Sequence, residues 1–186
     1  MLRIFVTGDK HGSLELKHLS NKNWPLAREL TRDDVVIICG DTGCMWDDSN
    51  ETRYWDDWLE DRPFTTITCF GNHENYDKIR SLPREEWNGA IVRKVRPHVM
   101  YVENGEIFTL NDQTFFVMGG ATSVDKVYRT EGKSWWATRH KGKLLPVSPM
   151  VFSPSLPHLA ISMPIPRKTE SCSIKTLQAT SPWNVR

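Results

Sequence analysis

The stretch CFGNHENYD, Cys69–Asp77, decides the fold, because an apolar, β-branched run turns there at once into Gly71-Asn72-His73-Glu74. A surface turn accounts for Gly71 and Asn72, which both tolerate turn backbone, but it does not call for a histidine and an acid directly behind them. Two earlier runs end in the same way. Leu2 to Thr7 leads into Asp9 and His11 in RIFVTGDKHG, and Asp34 to Cys39 leads into Asp41 in DVVIICGDTG. Three strand-like segments therefore each deliver metal-ligand residues at their carboxyl ends.

Between the first two runs, Trp24, Leu26, Ala27 and Leu30 fit one helical face, with Pro25 acceptable in a first turn. Between the second and third, Glu51 to Asp61 places Tyr54, Trp55, Trp58 and Leu59 at helical spacing, with Pro63 as a stop. The order β-α-β-α-β predicts parallel strands joined by crossovers, whose ligands gather beyond the carboxyl ends of the strands. Beyond a short predicted helix in NYDKIRSLP, the texture changes to AIVRKV, HVMYV, EIFTL and TFFVMGG. Phe108 to Val117 reads as an antiparallel hairpin turning on Asn111 and Asp112. The fold class is α/β, with a mixed sheet.

Asp9-x-His11 pairs an anionic oxygen with an imidazole only two positions apart, close enough to share one cation; borderline divalent metals accept such mixed ligands. Asp41 lies 32 residues further on and Asn72 another 31. They add a carboxylate able to bridge two ions and a neutral amide oxygen. Spacings near thirty residues match successive βα crossovers, so all four can converge.

GDKHG, GDTG and GNHE, in this order and each behind a strand, resemble the first three signatures of the calcineurin-like metallophosphoesterase family. Read from these motifs, the resemblance covers residues 1–136. CFGNHENYD, EEWNGAIVRKV and FFVMGGATS are similar to small phage and bacterial members. It implies a β-sandwich flanked by helices, incomplete at its C-terminus. It also implies two divalent ions, Mn²⁺ foremost with Fe, Zn or Ni also acceptable. Asp9 and His11 would bind the first metal, Asp41 would bridge, and Asn72 would bind the second. His73 would be the catalytic residue, protonating the leaving oxygen or stabilising the transition state. On this reading Gly71 permits a sharp turn that leaves His73 and Glu74 beside the substrate. The implied function is hydrolysis of a phosphomonoester or phosphodiester by a metal-bound hydroxide at a dinuclear site.

The family's later ligands, an isolated histidine and a Gly-His-x-His turn, have no recognisable counterpart. His18, His98, His140 and His158 form no HxH; His18 and His98 read as exposed loop residues. Two alternatives therefore stand beside the enzyme: a truncated relative that binds metal weakly with impaired turnover, and a non-enzymatic binding domain. Phosphate chemistry of other kinds has no support, since GxxxxGK[ST], GxSxG and a DxD nucleophile motif are all absent.

With 186 residues and 39% hydrophobic content, the chain suits one domain with a substantial core. Its 24 basic and 23 acidic residues give +1, which offers nothing to a nucleic-acid-coating or membrane-surface role. The halves differ. Residues 1–136 hold 17 basic and 22 acidic residues, a net of −5, whereas 137–186 hold 7 and 1, a net of +6. Seven of the 11 prolines fall in that second segment, which reads as an irregular basic tail, as if an unrelated segment or a shifted reading frame followed Trp136. Cys39, Cys44, Cys69 and Cys172 contain no CxxC pair, so Cys39 and Cys69 read as buried core residues of a reduced chain. No apolar stretch approaches the ~20 residues that span a bilayer, and the first run starts at Leu2, so a cytoplasmic protein is expected. Its expected partner is a phosphorylated substrate; substrate class and oligomeric state are not legible.

Overall fold

A computed structural model describes residues 2–119, 126–134 and 136, and the strands at 150–152, 160–162 and 175–177. The first run forms β1 (Ile4–Thr7), the second β2 (Val35–Ile38) and the third β3 (Thr65–Cys69), every residue of them buried. Each is short and rich in β-branched residues, as strands covered on both faces require. β1 pairs parallel with β2 in the register Ile4↔Val35, and β2 pairs parallel with β3 as Val35↔Thr65. The three carboxyl ends thus lie along one sheet edge.

The connection between β1 and β2 is not the expected helix. It is three 3₁₀ turns, the last at Pro25–Glu29, too short between Trp24 and Leu30 to develop an α-helical hydrogen-bond ladder. The β2–β3 connection carries the expected helix α1 (Asn50–Glu60), whose N-terminal amide at Thr52 is capped by the Ser49 hydroxyl at 3.1 Å. α2 (Tyr76–Ser81) follows β3 and is capped by Asn75.

β4 (Arg84–Trp87), β5 (Ala90–Arg96) and β6 (Val99–Val102) then complete one edge of the large sheet, with β6 parallel to β3 and β5 antiparallel to β6. β7 (Ile107–Leu110) and β8 (Gln113–Met118) form the predicted hairpin, turning on Asn111 and Asp112 at φ 49° and 61°. Two left-handed residues in succession are what a two-residue hairpin loop demands.

The 137–186 segment, read as irregular, contributes three strands: β9 (Met150–Phe152), β10 (Ala160–Ser162) and β11 (Lys175–Leu177). Three-residue strands sustain no apolar period, so the pattern could not reveal them. β11 joins the first sheet beside β1, giving the order β11-β1-β2-β3-β6-β5-β4, and the second sheet runs β10-β9-β8-β7.

Two cores result. Ile4, Val6, Val35, Ile37 and Val92 pack with Phe108, Leu110, Phe115 and Val117 of the second sheet, filling the sandwich. Phe5, Val36 and Ile38 face the other way, onto Leu16, Leu19, Leu59, Phe64 and Ile79 from the turns and helices. Adjacent strand residues point to opposite faces, and here both faces are covered. The architecture is the α/β sandwich flanked by helices that the motifs implied. No helix among the described residues is long and apolar enough to cross a membrane.

Candidate metal centre

Backbone hydrogen bonds stitch the first two loops together before any side chain is considered. The amides of Lys10 and His11 donate to the Asp41 carbonyl at 3.0 and 2.7 Å, and the Gly12 amide donates to the Thr42 carbonyl at 2.8 Å. His11 and Asp41 are held at φ 44° and 49°, a left-handed backbone that costs a side-chain-bearing residue about 1–2 kcal/mol. Gly43 lies against the same turn, where an added Cβ would stand 2.4 Å from the Gly12 amide nitrogen. The loops touch through backbone, and only glycine leaves that room.

The third loop is fastened to the second by Glu74. Its carboxylate accepts from the amides of Thr42 (2.7 Å), Asp41 (3.1 Å) and Gly71 (2.7 Å), and its residue is 1% exposed. Burial, followed by the nearby Asp41 charge, pushes the Glu74 carboxyl well up, while those three amides pull it down. Glu74 is therefore a buried staple, not a group beside substrate as the sequence implied. Gly71 also has a different reason from the expected turn: its φ is not positive, but a Cβ there would lie 2.0 Å from Asp41 Oδ1 and 2.3 Å from the Asp41 nitrogen. Close approach to the carboxylate excludes a side chain.

Around this scaffold the ligand atoms of His11, Asp41 and His73 come within 4.8 Å of one another. The His73 amide donates to Asp41 Oδ1 at 2.8 Å, and its Nε2 stands 4.0 Å from Asp41 Oδ2. The His11 and His73 rings meet edge to face, centroids 5.1 Å apart, and His11 Nε2 lies 3.9 Å from Asp9 Oδ2. Burial, then the Asp41 charge, raises the Asp9 carboxyl to about 6. The Asp41 carboxylate and two imidazoles meet at one point, with the Asp9 carboxylate beside His11, a donor set that suits a hard or borderline divalent cation.

Of the residues expected to act, Asp9, His11, Asp41 and His73 share this locality. Asn72 occupies the loop between Gly71 and His73, half-buried, on the same edge. His73, expected as the catalytic residue, lies in the same cluster as His11 and Asp41. His98 is not a free loop residue: its Nδ1 lies 2.7 Å from Glu60 Oε1 and its amide donates to Glu60 Oε2 at 2.8 Å. His140 and His158 lie outside the described residues. Arg129 is an arrival that sequence reasoning did not foresee. Its Nη2 meets the His73 ring, 2.6 Å from Nδ1 and also against Nε2, while Nη1 donates to the Ser134 carbonyl at 2.7 Å. An arginine in a loop 56 residues from His73 carries no local pattern that would have revealed it.

No curated protein matches the chain significantly. Residues 2–165 match the calcineurin-like phosphoesterase family, past Trp136 and into the segment read as a tail. With His11, Asp41 and His73 brought together from three loops at one edge of a sandwich and most of its length matched, the chain belongs to the calcineurin-like phosphoesterase family.

Proposed function

We propose that this chain hydrolyses a phosphate ester with two divalent cations held by Asp9, His11, Asp41 and Asn72, Mn²⁺ foremost. The reading rests on the approach of His11, Asp41 and His73 within 4.8 Å at the ends of β1, β2 and β3. Asp41 would be shared between the ions, since it stands between the two other loops: its carbonyl binds the Lys10 and His11 amides and its Oδ1 binds the His73 amide. When bound, divalent ions would lower the pKa of water and neutralise charge on the phosphoryl group.

The chain's own groups do the rest. His73, its amide fixed on Asp41 Oδ1, carries a ring nitrogen that would give its proton to the ester oxygen as a water oxygen bonds to phosphorus and the ester P–O bond breaks. Arg129 adds a permanent charge beside that imidazole, matched to the oxygens of a phosphoryl group. Glu74 and Gly71 hold the Asn72–His73 loop against the Asp41 loop at contact distance, so little reorganisation is needed on binding.

The test is hydrolysis of a chromogenic phosphomonoester and a diester with Mn²⁺ and with chelator. Mn²⁺-dependent turnover that falls more than ~100-fold in Asp41→Ala is expected, since even residues behind a ligand cost 10–100-fold. Turnover surviving that substitution removes the bridging role. Calorimetric titration separates the truncated alternative, which binds one ion weakly, from a centre that binds two.

A further inference from the structure

A cleft of about 380 Å³ includes His11 and His73 of the candidate metal centre in its lining, with Gly12 and Gly43. That volume lies in the lower part of the small-ligand range of ~300–1,000 Å³, the size of a metabolite. The far end has another chemistry. Trp46 and Trp55 supply aromatic surface there, and Asp47, Ser49, Glu51 and Thr52 supply oxygens. Apart from the two histidines, no basic side chain lines it among the described residues.

The aromatic wall is braced. Trp46 meets the buried Trp136 edge to face, centroids 5.0 Å apart at 90°, and its carbonyl accepts from Asn75 Nδ2 at 2.7 Å. Trp55 is half-buried on α1 between Tyr54 and Trp58, at 5.2 and 5.5 Å. The acidic wall is equally set. Asp47 Oδ1 accepts from the Ser49 amide at 2.9 Å and the Thr52 hydroxyl at 2.6 Å, and the Ser49 and Thr52 hydroxyls, then the Ser49 amide, hold the carboxyl below its usual value. Lys78, which is not part of the lining, faces Asp48 Oδ1 at 2.8 Å and the Asp47 carbonyl, and Arg129 stands behind His73 at the phosphate end.

Each property narrows the occupant. A wall that carries Asp47 and Glu51 and no lysine or arginine of its own disfavours a second phosphate, and braced tryptophans favour a flat ring. Several acceptors spread along the wall match several N–H and O–H donors, more than a small ammonium group offers or its volume would fill. We propose that this cleft is the leaving-group subsite for a nucleoside bearing one phosphate: the base rests on Trp46 and Trp55, and its donors meet Asp47 and Glu51. This inference rests on the phosphoesterase reading for the phosphate end alone.

Tryptophan fluorescence of the full chain in chelator, titrated with adenosine, tests the subsite without metal or turnover. Saturable quenching by adenosine and none by ribose is expected, and Trp55→Ala should weaken binding about tenfold, the size of one base–aromatic stack. Should Trp55→Ala unfold, Glu51→Gln on the exposed first turn of α1 gives the second variant, with weaker adenosine binding and an unchanged melting curve. With Mn²⁺ restored, adenosine should compete with the chromogenic ester, and adenosine monophosphate should exceed the triphosphate at least tenfold in kcat/KM. Absence of quenching, equal quenching by ribose, or preference for the triphosphate overturns the subsite while leaving Mn²⁺-dependent hydrolysis intact. Nucleoside binding without any hydrolysis supports the subsite and counts against the phosphoesterase reading instead.

Discussion

Replacing Glu74 by Gln changes one atom and tests whether the metal loops are held by a buried staple. The carboxylate accepts three amide bonds, with Oε1 taking Thr42 and Oε2 taking both Asp41 and Gly71. Glutamine has one acceptor oxygen, so its better orientation keeps the Oε2 pair and turns an NH₂ group toward the Thr42 amide. One buried donor then loses its partner, at about 1–3 kcal/mol, and the two surviving bonds lose the assistance of any charge. A loss near 3 kcal/mol follows, or ~6–12 °C in Tm for a domain of this size. Loosening the Asp41 loop should also weaken Mn²⁺ binding ~10–100-fold, as substitutions behind metal ligands do. Urea unfolding in chelator reads the first effect, and calorimetric titration of Mn²⁺ the second. A variant of unchanged stability and metal affinity that has lost turnover would refute the staple, because it would put Glu74 on the substrate.

Gly71→Ala should cost about 1–3 kcal/mol by overpacking and weaken metal binding, since its Cβ would fall 2.0 Å from Asp41 Oδ1; thermal unfolding and metal titration measure both. Arg129→Ala should lower kcat about tenfold with Mn²⁺ affinity unchanged, and Arg129→Lys should not restore it, having no second arm for the Ser134 carbonyl; an equal loss of metal affinity would contradict this. Asp34, 2% exposed, accepts from Arg3 at 2.9, 3.0 and 2.8 Å and from the Thr31 amide at 2.8 Å, so Asp34→Asn should cost about 2–3 kcal/mol in urea unfolding at neutral pH. Burial alone would raise the Asp34 carboxyl, but the Arg3 and Thr31 bonds prevail and hold it below its usual value. Its stabilisation is present above the unfolded pKa of about 3.9 and is lost as pH falls through the lower folded value, a window that Asp34→Asn should flatten.

What could be read from the letters was whatever had a period or a preceding strand. β1, β2 and β3 announce themselves as β-branched runs, and the hairpin by Asn111-Asp112, since these features are local in the chain. The strand β4 escaped because Arg84, Glu85 and Glu86 are exposed on a sheet edge, where charge is favoured and apolar alternation is not required. Asp9, His11 and Asp41 were legible as ligand types at crossover spacing. The duty of Glu74 was not, because an acid beside a histidine looks alike whether it meets amides or substrate. Its two oxygens meet three donors from two loops only once the chain has folded. The 3₁₀ turns after β1 mark the same limit: Trp24 to Leu30 satisfies a helical face over seven residues, yet so short a segment gains too few ladder bonds to offset nucleation.

The backbone around Asp41 shows where local cost is tolerated for the sake of a side chain. Gly40 and Gly43 carry φ of 93° and 82°, values at which glycine is without penalty, and Asp41 between them carries 49°. A third glycine would relieve that position and supply the same carbonyl to Lys10 and His11, since those bonds need only backbone. What it would remove is the carboxylate that meets the His73 amide through Oδ1 and faces its ring through Oδ2. The strained residue is thus kept at the one point in the turn where an oxygen reaches the cluster, and glycine is used on both sides, where none is needed. His11 repeats the arrangement at φ 44°, with Gly12 behind it at 57°. Asn88, Asn111 and Asp112 adopt the same left-handed backbone in tight turns that favour it, and Met45 does so in the loop after β2; at His11 and Asp41 the same cost falls on two ligand-type residues and is absorbed by interloop hydrogen bonds, as at sites whose geometry is set before binding.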